Sequence, residues 1–340
     1  MTDGPASFGV VGIAQVLGRP TPLAETPGDG AAAFTRLGYR HVHRAGADTH
    51  ASDLAVEAAR QALAACFVAP TEIDLLVVAV SDLADHLYWD ISAAVQGRLG
   101  ARRAEAVLVN QACGGGVTAF DTVAGRLATH PGYEVAVLVA THRVCEAYWD
   151  RTSSGTAPTS DGAVAVVLRR GHPRCRWLAT ETRTDGRYAG LLKMPGGTAQ
   201  PFTAISVASP PNVGTVMDRL TGFFGADGRA AYEFTEVLRA GERQVLGDAL
   251  RRVVPAPAAT VHVVRGHDVR AASGDLALDL DVVLKPTGPA TAFDLGHLGA
   301  GDQLIGLRAL LEDGDTAAGD IVALVSTGSG AHWACTLLEI

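Results

Sequence analysis

The sequence predicts a mixed α/β protein built from two repeated halves. Three observations carry that expectation: short β-rich runs alternate with Ala/Leu/Arg-rich stretches at helical spacing, the order of these runs recurs in the second half, and the regular pattern lapses only between about residues 186 and 228. At 340 residues and 48% hydrophobic content the chain can bury a full core without disulfides or metal. A formal charge of −8 argues against a nucleic-acid partner, because phosphate binding needs a basic face.

In chain order, Ser52–Cys66 places Leu54, Ala55, Ala58, Ala62 and Ala65 on one side of a helix. "IDLLVVAVS" (Ile73–Ser81) reads as a strand buried on both faces, and "AEAVLVNQA" (Ala104–Ala112) as a second. A helix over Thr118–His130 follows, then strands over Tyr133–His142 and Gly162–Arg170. The later part repeats the order. "ATVHVVRG" (Ala259–Gly266) is a strand, Thr291–Asp313 a strand end, glycine turn and helix, and Gly319–Ile340 two strands around a glycine-rich turn. Laid over each other, "NQACGGGVTAF" falls beside "DLGHLGAGDQL". The division expected is an N-terminal half, 1–170, and a second half, 171–340, that opens with the irregular insertion, a pocket wall or lid, before an amphipathic stretch from Phe234 to Arg252.

The five cysteines are scattered, with no pairing that suggests a disulfide framework or zinc site. No signal peptide and no apolar run of membrane-spanning length is visible, which reads as a soluble cytoplasmic protein without a membrane partner.

Cys113 stands where a buried strand gives way to a helix, ahead of Gly114, Gly115 and Gly116. Free backbone N–H groups and the helix dipole favour a thiolate there, and the glycines let a thioester approach the main chain. Residue types alone leave two readings open, a nucleophile or a small buried hydrophobe. His267, after the strand Ala259–Gly266, and His297, in the turn matching the cysteine turn, supply two imidazoles at strand ends, where open α/β sheets collect functional groups. A thiol with two imidazoles suits nucleophilic acyl transfer; a zinc site on the same three side chains is the other chemistry they allow. The remaining histidines read as surface or core.

"VLVNQACGGGVTAFDTVAGRL" resembles the active-site segment of the β-ketoacyl-ACP synthase III group of the thiolase superfamily. "TSDGAVAVVLRR" resembles its Gly-Asp-Gly-Ala strand, "HVVRGHDV" the strand that delivers its catalytic His, and "LVSTGSGAHWACTLLEI" its C-terminal glycine turn with Trp333. The resemblance implies the thiolase fold, an αβαβα layered core of two pseudo-repeated halves. It puts the nucleophile on Cys113 and the general-base or carbonyl-donor role on His267, with His297 orienting or assisting. It puts the oxyanion N–H donors on Cys113 and Ser329. Tyr88 and Trp89, in "DHLYWDIS", would line the acyl pocket across a homodimer, and Arg40 and Arg44, in "GYRHVHRA", would meet CoA or pantetheine phosphate. His297 stands where the group carries Asn, and Asp268-Val269-Arg270 replace its Gln-Ala-Asn. The implied activity is therefore acyl transfer from an acyl carrier protein or CoA thioester to an O, N or S acceptor, a small molecule of specialised polyketide-type metabolism, with decarboxylative condensation on malonyl-ACP as the alternative. The pantetheine thioester is then substrate, and no resident cofactor or metal is implied.

Overall fold

The computed structural model describes residues 7–28, 30–81, 85–146, 149–153, 156–193, 216–225, 228–253, 258–266, 281–287 and 289–340. The strands of the first half are β1 (Phe8–Leu17), β4 (Leu75–Val80), β5 (Glu105–Asn110), β6 (Val135–His142) and β7 (Gly162–Arg170), with a small ribbon of β2 (Arg19–Pro22) and β3 (His41–Arg44). Its helices are α1 (Ala31–Arg36), α2 (Ala51–Ala65), α3 (Ile91–Leu99) and α4 (Gly115–Thr129). The second half has β8 (Arg176–Thr184), α5 (Val216–Phe224), α6 (Gly228–Val253), β9 (Ala259–Val264), β10 (Val282–Thr287), α7 (Pro289–Leu295), α8 (Asp302–Asp313), β11 (Ile321–Gly328) and β12 (His332–Glu339).

One sheet runs β10-β9-β11-β12-β8-β1-β7-β6-β4-β5, its two sides joined at Gly9–Arg176. The order is a mirrored duplication. β4 pairs in parallel with β5 and β6, and β9 in parallel with β10 and β11. β6–β7–β1 and β11–β12–β8 continue antiparallel.

Side-chain alternation sets the layers. Leu75, Val77 and Ala79 of β4 face a central layer with Val117, Phe120 and Val123 of α4 and Leu304, Leu307 and Leu310 of α8. Leu76, Val78 and Val80 face the opposite way, against Leu54, Ala58 and Ala62 of α2 and Val95 of α3. On the other side Val245, Leu246, Ala249 and Leu250 of α6 cover Val261, Val263, Ala323 and Val325. The result is the layered αβαβα thiolase fold. Strands covered on both faces have no solvent side to write as polar, so β4, β6 and β7 read as unbroken apolar runs.

Two expectations change. Residues 291–295, read as a strand end, belong to helix α7, which opens on Pro289, a residue preset for the first helical position. The irregular insertion contains a 3-10 turn (Gly186–Tyr188) and helix α5, whose Phe223 and Phe224 cluster with Tyr188 and with Phe234 of α6. Residues 194–215 lie outside the described residues.

Candidate active site

β5 ends at Asn110, and the chain reverses through Gln111 and Ala112 before α4 begins at Gly115. Ala112 sits at φ 49°, a left-handed conformation that costs a non-glycine residue about 1 kcal/mol. Cys113 thus stands half-buried at the positive end of α4. The glycines behind it have a packing reason. A Cβ on Gly116 would lie 2.1 Å from the Ala300 carbonyl oxygen, so glycine lets α4 and the 3-10 turn Gly299–Gly301 touch main chain to main chain.

That contact brings the second half to the sulfur. His297 follows α7 and is held at both backbone poles: its N–H donates to Pro158 O at 2.8 Å, and its carbonyl accepts from Ser160 N at 2.8 Å. Gly296 makes the bend at φ +64°, where a Cβ would meet Pro158 O at 2.5 Å. The imidazole Nε2 lies 3.2 Å from Cys113 Sγ. Its Nδ1 lies 2.6 Å from Oδ2 of Asp302, the first residue of α8, whose Oδ1 accepts from Leu298 N at 2.6 Å. Asp302 is buried to 1% exposure against 22% for His297. A carboxylate in that setting keeps a proton on Nδ1 and turns Nε2 toward sulfur. Burial works against charge on His297, yet Asp302 and the sulfur outweigh it and hold the imidazole well above its ordinary value of 6.5. The three side chains form a Cys-His-Asp relay, the arrangement that activates a nucleophile and then moves its proton.

The chain matches the model of 3-oxoacyl-[acyl-carrier-protein (ACP)] synthase III over residues 109–186 and that family's C-terminal model over residues 287–340. The β-ketoacyl-ACP synthase III of Synechocystis sp. is 28% identical over 309 residues, 90% of this chain and 88% of its own. That of Methylococcus capsulatus is 33% identical over 161 residues, 47% of this chain and 49% of its own. Two segments of the chain thus match the 3-oxoacyl-ACP synthase III family, and the likeness to its members extends over most of the chain. Among solved structures, the acyltransferase ChlB3 superposes with a TM-score of 0.79 at 21% identity over 98% of each chain. The synthase III of Pseudomonas aeruginosa PAO1 superposes with 0.74 at 24% identity, again over 98% of each.

The other predicted site residues fall as follows. Gly328 adjoins the cysteine turn, since a Cβ on it would lie 3.1 Å from Gln111 O and 3.3 Å from Cys113 N; Ser329 is the exposed residue next to it. His267 lies outside the described residues, while Gly266 before it packs on the relay, its Cβ position 3.3 Å from Asp302 Oδ2. Tyr88 is fully exposed at φ 53°, and Trp89 packs partly on the α2–α3 core and edge-on to His86. Neither is joined to Cys113 by a described contact within this protomer. Arg40 holds Asp294 through two hydrogen bonds, and Arg44 holds Glu146.

Two site residues escape sequence reading. Asp302 has one signal, its place five residues after His297 at the start of a helix. His142, read as core or surface, stands in the wall of the site: its ring centroid is 6.1 Å from that of His297, and its Nδ1 is 2.9 Å from Ser160 O. Beneath both segments, Arg151 and Asp161 form a buried bidentate pair, and Asp161 also accepts from Ala45 N and Val144 N.

Proposed function

We propose that this protein is a ketosynthase III-like acyltransferase of specialised metabolism, moving an acyl group from an acyl-ACP or acyl-CoA thioester through an acyl-S-Cys113 intermediate to a hydroxyl, amine or thiol acceptor. The observation that supports it is the Cys113–His297–Asp302 relay. Condensation asks the site to hold an enolate with hydrogen-bond donors. Transfer to a protic acceptor asks instead for a base that first gives and then takes a proton, and an imidazole backed by a buried carboxylate is built for that.

In the first half-reaction the sulfur attacks the thioester carbonyl, and the N–H groups of Cys113 and Ser329 hold the oxyanion. The pantetheine thiolate leaves and takes the Nε2 proton of His297. Acylation removes the charge from Cys113, and with it one of the influences that keep His297 protonated. Neutral His297 then accepts the acceptor's proton as its O, N or S attacks the acyl carbon, and the C–S bond breaks to free Cys113. His267 would assist at the acceptor side. The donor is acyl-carrier pantetheine or CoA; Arg40 and Arg44, the candidates for its phosphate, are paired with Asp294 and Glu146.

The assembly proposed is a cytoplasmic homodimer of chains each divided near residue 170. β5 is the edge of the sheet with Leu108 exposed on it, which supports edge pairing with a second copy.

Intact-mass analysis of the parent and Cys113→Ala after incubation with acyl-CoA and acyl-ACP thioesters tests the reading. An acyl adduct on the parent alone, discharged by alcohols, amines or thiols, is the expected result. Carbon dioxide released from malonyl-ACP with a β-keto product would instead establish condensation.

A further inference from the structure

The parallel ladder between β9 and β11 runs from Val261–Ile321 to Val264–Leu324 and then ends. Past that point the two strand ends serve different parts of the site. Gly266 lies against Asp302, and Gly328 against the backbone of Cys113. Two side chains bridge the opened ladder. Gln303 of α8 donates from Nε2 to Val325 O at 3.1 Å. From the outer layer, Glu242 of α6 reaches both strands: Oε1 accepts from Thr327 Oγ1 at 2.9 Å, and Oε2 is ion-paired with Arg265. The Arg265 and Glu242 side chains are 8% and 14% exposed.

Glu242 occupies an inward place in an apolar stripe, one turn after Leu238, one before Val245 and Leu246 and two before Ala249. A hydrophobe there would pack α6 on the sheet without the cost of withdrawing a carboxylate from water. Helix packing therefore does not account for it. What the carboxylate does do is tie the residue before Gly328 to the residue before Gly266. Oxyanion donors act only when held at hydrogen-bond distance from the place where charge develops, and small displacements cost large factors in rate.

We propose that Glu242 is a positioning residue: by holding Thr327 and Arg265 together it fixes the Gly328 turn against the Cys113 backbone and so keeps the oxyanion donors in register with the sulfur. This rests on the reading of Cys113 as an acyl nucleophile. The contribution is made through the Thr327 hydroxyl and the Arg265 guanidinium and touches no reacting atom.

Two probes separate donor placement from thiol reactivity in the full-length protein. Acetylation of Cys113 by p-nitrophenyl acetate passes through an oxyanion, whereas alkylation by iodoacetamide does not. Thr327→Val keeps the side-chain shape and loses the donor; Thr327→Ser keeps the donor. The valine variant should acetylate about tenfold more slowly with alkylation unchanged within twofold, and the serine variant should match the parent in both. Glu242→Gln, which still accepts from Thr327 but loses the charge on Arg265, should acetylate at least threefold more slowly, and it carries the test if the valine variant fails to fold. Parental acetylation in both the valine and glutamine variants, or equal slowing of acetylation and alkylation, overturns the proposal. A parent that alkylates at Cys113 but never acetylates overturns the acyl-nucleophile reading instead.

Discussion

His297 Nδ1 lies 2.6 Å from Asp302 Oδ2, and the same imidazole presents Nε2 to Cys113 at 3.2 Å. A proton held on one ring nitrogen by a buried carboxylate makes the other the acid–base atom. Asp302→Asn keeps the shape and removes the charge. The acyl-transfer rate should fall about 100-fold or more. Because Asp302 raises the His297 value, its loss lowers that value, and the alkaline limb of the acylation rate should move to lower pH. A pH–rate profile of adduct formation checks both; a parental profile would show that the carboxylate takes no part.

His297→Asn exchanges a base for a neutral amide. Transfer to hydroxyl acceptors should fall at least 100-fold, since Asn cannot take their proton. An amide can still donate to an enolate, so carbon dioxide release from malonyl-ACP should persist or rise. The two products, assayed on one preparation, show whether the imidazole steers the outcome.

The layers were legible in the sequence because both faces of β4, β6 and β7 are covered, leaving apolar runs that no surface strand would show. Cys113 stood out because a strand end followed by glycines is a local signal, whereas His297, expected at a strand end, follows helix α7, and only the glycines flanking its turn marked it. Asp302 was not legible. An acid at the first position of a helix reads as a partner for the helix dipole, and only the 3-10 turn Gly299–Gly301 folds it beneath Nδ1. Arg40 and Arg44 looked available for phosphate because their carboxylate partners, Asp294 and Glu146, lie 254 and 102 residues away. The reach of Glu242 to two strand ends is equally non-local.

The contact between Gly116 and Ala300 O leaves no room for a methyl group. Gly116→Ala must push α4 away from the 3-10 turn that sets Asp302. Such overpacking typically costs about 1–3 kcal/mol. Thermal melting should report that loss, and acylation should slow further than the stability change explains, because the cysteine and the relay sit on the two surfaces being parted. A variant with unchanged melting would mean that the two elements slide without cost.

Asp161 ties stability to pH at the acid end, alongside Asp74 and the other carboxylates held below their ordinary value. Burial disfavours its charge, but Arg151 and the Val144 and Ala45 N–H groups overcome that and hold its carboxyl below its ordinary 3.8. A depressed value contributes stability that is complete above the unfolded-state value and drains away as pH falls through the folded one. The parent should therefore hold its melting temperature down to about pH 4 and lose it below. Asp161→Asn leaves the buried Arg151 with the part-exposed Glu146 as its anion, a change worth about 3 kcal/mol near neutrality. The penalty should shrink as pH drops, because the parent's own carboxylate is then neutralised, and the two curves should converge at the acid end. Melting temperatures of both proteins between pH 7 and pH 3 measure this directly; parallel curves across that range would place the acid-labile group elsewhere.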